Sequence, residues 1–343
     1  MTLAEFWFVL VGFLFAGYFL LEGFDFGVGM LLPALGRDDT GRRVMINTIG
    51  PVWDMNETWL IVAGASLFAA FPYWYATLFS GFYLPLLLIL VALILRGVAF
   101  EYRGKVDDPV WRQRWDIAIV AGSVVPALLW GVAFANILRG VPINANGDFT
   151  GNLFTLLNPY GLLGGLATVV LFATYGAIFV ALKTVGDIRY EARALAAKIG
   201  VVAVVLGAGF LVWTQLQHGD LGSLVLSVLT AVALVAGLAA NAREREGWAF
   251  GLVAAAVVGL VATLFVALFP DVMPSTTDPA YSLTVENASS TPKTLAVMSW
   301  IAAFGLPVVL LYQGWTYWVF RKRIGRHSIP TSPQHGAAPV AGS

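Results

Sequence analysis

Nine stretches of nearly unbroken apolar residues, separated by polar segments, organise this chain: 6–35, 50–71, 74–100, 116–138, 160–183, 195–215, 221–240, 247–269 and 294–320. Each is long enough for the roughly 20 residues that an α-helix needs to cross a bilayer core. The expected fold is all-α, a polytopic membrane helical bundle with nine transmembrane helices. Most connections are short, as between antiparallel neighbours. Two are long, 139–159 and 270–293. After Arg326 the chain turns small, polar and Pro-rich. The expected organisation is therefore one transmembrane domain over 1–326 and a disordered tail over 327–343.

Composition agrees with this pattern. Of 343 residues 59% are hydrophobic and 12% charged, with a mean hydropathy of +0.79, whereas a soluble domain is roughly half apolar and a quarter charged. The net charge of zero says less than where the charges fall. Numbered by alternating sides, one side receives all but three of the 20 Lys and Arg. The exceptions are Arg139 and Lys293 on the other side, and Arg96 near the end of the third stretch. The basic side reads as cytoplasmic, which places the N-terminus outside and the C-terminus inside. The start of the chain lacks a basic region and carries Glu5, so no cleavable leader is expected. Tyr73, Trp74 and Tyr75, and Trp111 with Trp115, read as aromatic anchors at the two interfaces.

Four acids interrupt the apolar pattern: Glu22 and Asp25 in the first stretch, Asp54 and Glu57 in the second. Within each pair the spacing is i, i+3, which puts both carboxyls on one helix face. A charge at the bilayer centre costs about 2.5–3.5 kcal/mol on insertion scales. By helical rise, all four lie between the membrane midplane and the basic side. A carboxylate ladder on one side suits proton uptake toward a buried centre better than it suits a channel. The surroundings are unusual as well. Gly23 and Gly27, four apart, permit close approach of a second helix. Pro51 suits a first helical turn or a kink, and Trp53, Asp54, Asn56 and Glu57 crowd polar groups beside an indole.

Other chemistry is excluded by residue type. With no cysteine, there is no disulfide, iron–sulfur cluster, thiolate haem ligand or cysteine-linked haem. The three histidines, His218, His327 and His335, fall outside the apolar stretches. Membrane-embedded haem or copper normally takes imidazole from a helix. No metal site is expected in this chain, and no catalytic residue.

The stretches Gly23-Phe-Asp-Phe-Gly-Val-Gly29, Gly50-Pro-Val-Trp-Asp-Met-Asn-Glu57, Arg96-Gly-Val-Ala-Phe-Glu-Tyr-Arg103, Leu157-Asn-Pro-Tyr-Gly-Leu-Leu-Gly164 and Phe269-Pro-Asp-Val-Met-Pro-Ser275 resemble subunit II of cytochrome bd-type quinol oxidases. So do Asn287-Ala-Ser-Ser290 and the last helix, and the resemblance runs from residue 6 to about 323. It implies a heterodimeric terminal oxidase of the bacterial cytoplasmic membrane that oxidises quinol and reduces O2 to water, building a proton-motive force in aerobic respiration. It further implies that haems b and d, and quinol oxidation, belong to subunit I as partner. Membrane lipid and quinone are the other expected contacts, with room for a structural quinone and a small accessory subunit. No nucleic-acid partner is expected. Carried over by position, Trp53 and Asp54 fall in a proton route, with Glu57, Asp25 and Glu22 as further candidates, and Trp59 falls near an O2 entrance. Met55 departs from the family pattern, which usually has a small residue after the acid.

Two other readings compete. A proton- or sodium-coupled secondary transporter would also place acids in the membrane, but transporters tend to repeat their interrupted helices in both halves. Here the acidic Gly/Pro features occur only in the first two stretches. A purely structural partner would use the acids to fix an interface.

Overall fold

The computed structural model describes residues 1–329. Thirteen α-helices lie among them: α1 Leu3–Met30, α2 Leu32–Leu35, α3 Asp39–Ile49, α4 Trp53–Ala70, α5 Pro72–Gly81, α6 Tyr83–Tyr102, α7 Pro109–Arg139, α8 Leu153–Leu156, α9 Pro159–Lys183, α10 Asp187–His218, α11 Leu221–Ala242, α12 Glu246–Leu268 and α13 Pro292–Val319. The one sheet among the described residues is a two-stranded antiparallel pair, β1 Asp271–Met273 and β2 Leu283–Thr284. The protein is an all-α polytopic membrane bundle.

Eight of the described helices are long and apolar enough to cross a membrane: α1, α6, α7 and α9–α13. The ninth expected span is α4. It has 18 residues and carries Asp54, Asn56 and Glu57 in its first turns, which dilute its apolar character. At 1.5 Å per residue it is about 27 Å long. It runs antiparallel to α1, since Asn56 reaches Leu21 O, Trp59 packs on Gly17, and Trp74 just beyond its end meets Phe8.

Three other element boundaries differ from the apolar pattern. The first stretch ends as helix at Met30 and restarts as α2, with Pro33 in its first turn. The third is divided at Phe82 into α5 and α6. Between the first two stretches, α3 folds as an amphipathic helix that buries Val44, Met45, Thr48 and Ile49. Pro51 lies in the turn ahead of α4, outside the helix.

α1 lies centrally, against α4, α7, α9 and α12. Its glycines make this possible. A Cβ on Gly27 would stand 2.7 Å from Gly176 Cα of α9, so the two backbones touch where neither residue has a side chain. Gly23 faces the Phe172 ring of the same helix.

The two ends of the bundle differ. At one end the long connections pack together: Val141 N–H donates to Pro274 O (3.0 Å) and Ser275 Oγ to Ile143 O (3.0 Å). Ser290 N–H closes on Ala70 O at 2.8 Å. Trp74 does not sit there as an interface anchor. It is buried against Phe8, Phe71 and Phe265, because the turn into α5 aims it inward while Tyr73 stays exposed.

The opposite, basic end is laced by ion pairs. Asp116 of α7 receives Arg103 Nε (2.5 Å) and Arg42 Nη1 (2.8 Å). Arg103 also reaches Asp39 (2.9 Å), and Glu246 takes Arg189 (2.7 Å). The segment after α13 crosses this end. Ile324 N–H donates to Lys183 O (2.9 Å), Val185 N–H to Ile324 O (3.1 Å), and Arg326 pairs with Asp38 (2.7 Å). Of the tail expected to be disordered from 327, Arg326–Ser328 form a 3-10 turn and Ile329 is buried. The remainder, from 330, lies outside the described residues.

Candidate functional site

Glu22 and Asp25 of α1 are fully buried. They share a helix, but three residues turn it by about 300°, which leaves about 60° between the two carboxyls. At a junction of three helices that angle sends them to different partners. Glu22 forms an ion pair with Arg96 of α6, which is likewise fully buried. Asp25 Oδ2 accepts from Asn56 Nδ2 of α4 at 2.7 Å.

Arg96 also stacks its guanidinium over Phe26 (4.6 Å to the ring centroid) and Phe100 (5.6 Å), as a cation sheltered by aromatic faces. Three carboxylates act on its charge: Glu22, Glu57 and Asp25. One guanidinium cannot neutralise three, so the cluster carries more acid than base. Arg96 Nε and Nη1, Glu22 Oε2 and Asp25 Oδ1 make no hydrogen bond to protein.

Asn56 is saturated. Its amide donates to Asp25 Oδ2 and to Leu21 O (3.2 Å). Its oxygen accepts from Gln313 Nε2 (2.9 Å) and Tyr317 Oη (2.8 Å), both on α13. Gln313 Oε1 faces Trp59 Nε1 at 3.5 Å. A directed chain of donors therefore runs from α13 through Asn56 and ends on the Asp25 carboxyl.

The second acid pair divides. Glu57 is half-buried and feels both Arg96 and Asp54. Asp54 itself is exposed, with no side-chain hydrogen bond or ion pair among the described residues. It lies on the outer face of the first turn of α4, at the basic end, and stands apart from the cluster. Trp53 is half-buried against Phe100 (5.2 Å between centroids). Met55 is half-buried beside Asp54. Trp59 is buried between Gly17 and Phe13.

The acids alone did not point to Arg96, Gln313 or Tyr317 as members of the site. Arg96 had a signal, as a lone cation inside a Leu-rich stretch. Gln313 and Tyr317 had a faint one, as polar residues four apart on one face of an otherwise apolar helix. As for haem, His218 closes α10 at the loop end and His327 sits in the 3-10 turn at the basic end. No imidazole lies within the body of the bundle among the described residues, so the donor set does not fit an embedded haem.

These features define a class: a multi-pass helical membrane protein with a buried carboxylate–guanidinium cluster near the basic end of the bundle. The family model of cytochrome bd terminal oxidase subunit II matches residues 3–320, and the chain belongs to that family. It is 43% identical over 329 residues to the cytochrome bd ubiquinol oxidase subunit 2 of Bacillus subtilis, covering 94% of this chain and 97% of that one. It is 40% identical over 361 residues to the cytochrome bd-I ubiquinol oxidase subunit 2 of Escherichia coli, covering 94% and 95%. Among solved structures, a chain of the bd oxidase from Geobacillus thermodenitrificans shares the fold. The TM-score is 0.75 at 16% identity, over 94% of this chain and 100% of that one. The protein is thus a subunit of a membrane-bound terminal oxidase complex, and the transporter reading is set aside.

Proposed function

We propose that this chain is the non-haem subunit of a quinol:O2 oxidoreductase in the bacterial cytoplasmic membrane and carries a proton-uptake path open to the cytoplasm. Among the described residues nine helices cross the membrane, α4 among them, with the N-terminus outside. The partner is subunit I, where haems b and d supply the reduction of O2 to water. Quinol as the electron donor follows the names of the relatives. The split between subunits is supported by the residue chemistry, since among the described residues the histidines lie at the ends of the bundle.

One observation carries the proton path. Glu22 pairs with the buried Arg96 guanidinium, Asp25 bonds Asn56 close by, and Glu57 lies near enough for its charge to act on Arg96, in the half of the bundle nearer the basic end. An excess of buried acid binds and releases protons at lower cost than an isolated carboxyl, because Arg96 and Asn56 stabilise the ionised forms. Asp54, exposed on the first turn of α4, is the entry group that faces subunit I. Glu57 then bridges Asp54 to the buried set, with Trp53 and Phe100 as an apolar wall. Trp59, buried between α1 and α13, borders an apolar O2 entrance. Met55, beside Asp54, narrows the approach.

The test is the complex purified through this chain, with Asp54→Asn and Asp25→Asn in parallel. A conduit predicts normal haem spectra with quinol-dependent O2 consumption reduced at least tenfold. Haem loss in proportion to lost activity would instead assign the acids to assembly.

A further inference from the structure

Of all the crossing helices, α13 is the least embedded. Leu295, Gln313 and Thr316 are its buried residues, while Trp300, Phe304 and Leu311 stand 69%, 72% and 75% exposed. Near its start it is held by Trp7 Nε1, which donates to Leu295 O (3.1 Å) and Ser299 Oγ (3.0 Å). Near its end the main polar tie to the bundle is the pair Gln313 and Tyr317 on Asn56. An otherwise apolar helix thus delivers two hydrogen-bond donors, four residues apart, to one amide oxygen.

The consequence is directional. An Asn amide can flip, and its two ends are nearly the same size. With Gln313 Nε2 and Tyr317 Oη both donating to its oxygen, Asn56 is locked with its NH2 toward Asp25 and Leu21 O. Flipped, it would set NH2 against two donors and oxygen against a carboxylate. We infer that Gln313 and Tyr317 are positioning residues for proton transfer, acting through Asn56 to keep an N–H aimed at the Asp25 carboxyl. This rests on the proposed role of Asp25 in the proton path. Neither side chain touches Asp25 directly, so both act at second hand. The embedding of α13 then sets how firmly Asp25 is held, and any displacement of this helix by the partner subunit is transmitted to the acid through Asn56.

The experiment uses the whole oxidase complex with Tyr317→Phe, Gln313→Met and the double variant. Both replacements keep approximate volume and remove only polar atoms. Turnover with quinol is followed from pH 5.5 to 9, beside the infrared carboxyl band that Asp25→Asn abolishes. The expected result is intact haem content, with the pH profile and the band's titration displaced together by at least half a unit in the double variant. Gln313→Glu, which can still donate when protonated, should restore the profile only at the acid end. A lower turnover with an undisplaced profile would overturn the inference and leave a packing role. Wild-type turnover in Asp25→Asn would instead overturn the proton-path reading itself. Should the double variant fail to assemble, Tyr317→Phe alone decides, since it removes one oxygen atom.

Discussion

Arg96 and Glu22 are each fully buried and, among the described residues, each the other's only ion-pair partner. Removing one member of such a pair strands a charge in a low-dielectric interior, which costs about 3–5 kcal/mol, whereas replacing both with apolar residues of similar size is often neutral. Arg96→Leu should therefore lower the melting temperature of the purified complex sharply. Glu22→Leu combined with Arg96→Leu should recover most of that loss. If the double variant melts no higher than Arg96→Leu, the pair is not what the cation stabilises, and Glu57 or Asp25 is its true counter-charge. In the sequence both pairs of acids stood out, because charge is rare in apolar stretches. Their division into buried and exposed members did not, because the i, i+3 spacing leaves an angle that only the neighbouring helices resolve.

At the scale of elements, the segment that follows α13 is tied across the basic end by Arg326. This residue pairs with Asp38 and with Asp187, at 3.4 Å. Asp38 caps α3 by accepting from Gly41 N–H at 2.7 Å. That backbone donor, with the Arg326 guanidinium, holds its carboxyl below the usual range. A lowered carboxyl contributes stability that is present above its unfolded value, near pH 4, and lost as pH falls through the lower folded value. Amide protection at 321–329, taken relative to the intrinsic exchange rate at each pH, should therefore be constant from neutral pH to about 5 and fall below about 4. Asp38→Asn should lower that protection at neutral pH and change it little in acid, where the carboxyl is already protonated. Asp38 is exposed and Arg326 partly so, so the effect is at most about 1 kcal/mol and shrinks in salt. Protection already lost between pH 8 and 6 would rule this pair out as its source.

For the whole molecule, the decisive quantity is the number of crossings. With nine, the two termini lie on opposite sides; if α4 did not cross, they would share one. The absence of native cysteine makes the measurement clean. Single replacements Thr2→Cys, Ala280→Cys, Lys105→Cys and Lys322→Cys, probed with an impermeant maleimide in right-side-out vesicles, should label the first two at once. The other two should label only after permeabilisation. Labelling of Thr2→Cys together with Lys322→Cys would reduce the count to eight and invert the cluster's side. The ion-paired end gathers Arg42, Arg103, Arg189 and Arg326, residues that the partition of charge along the chain assigned to one side.

The sequence alone determined that the chain lives in a membrane, that it is helical, which end is basic, and that acids are concentrated in two places. Each follows from local chemistry, since the transfer cost of side chains and the length of apolar runs are properties of single segments. The tertiary structure decided which acid meets which base, that Asp54 is set apart, and that Gln313 and Tyr317, more than 250 residues from Asn56, complete its hydrogen bonds. Those outcomes depend on the rotation and packing of helices about one another. Hydropathy does not encode that rotation, because lipid-facing and helix-facing surfaces of a membrane helix are equally apolar.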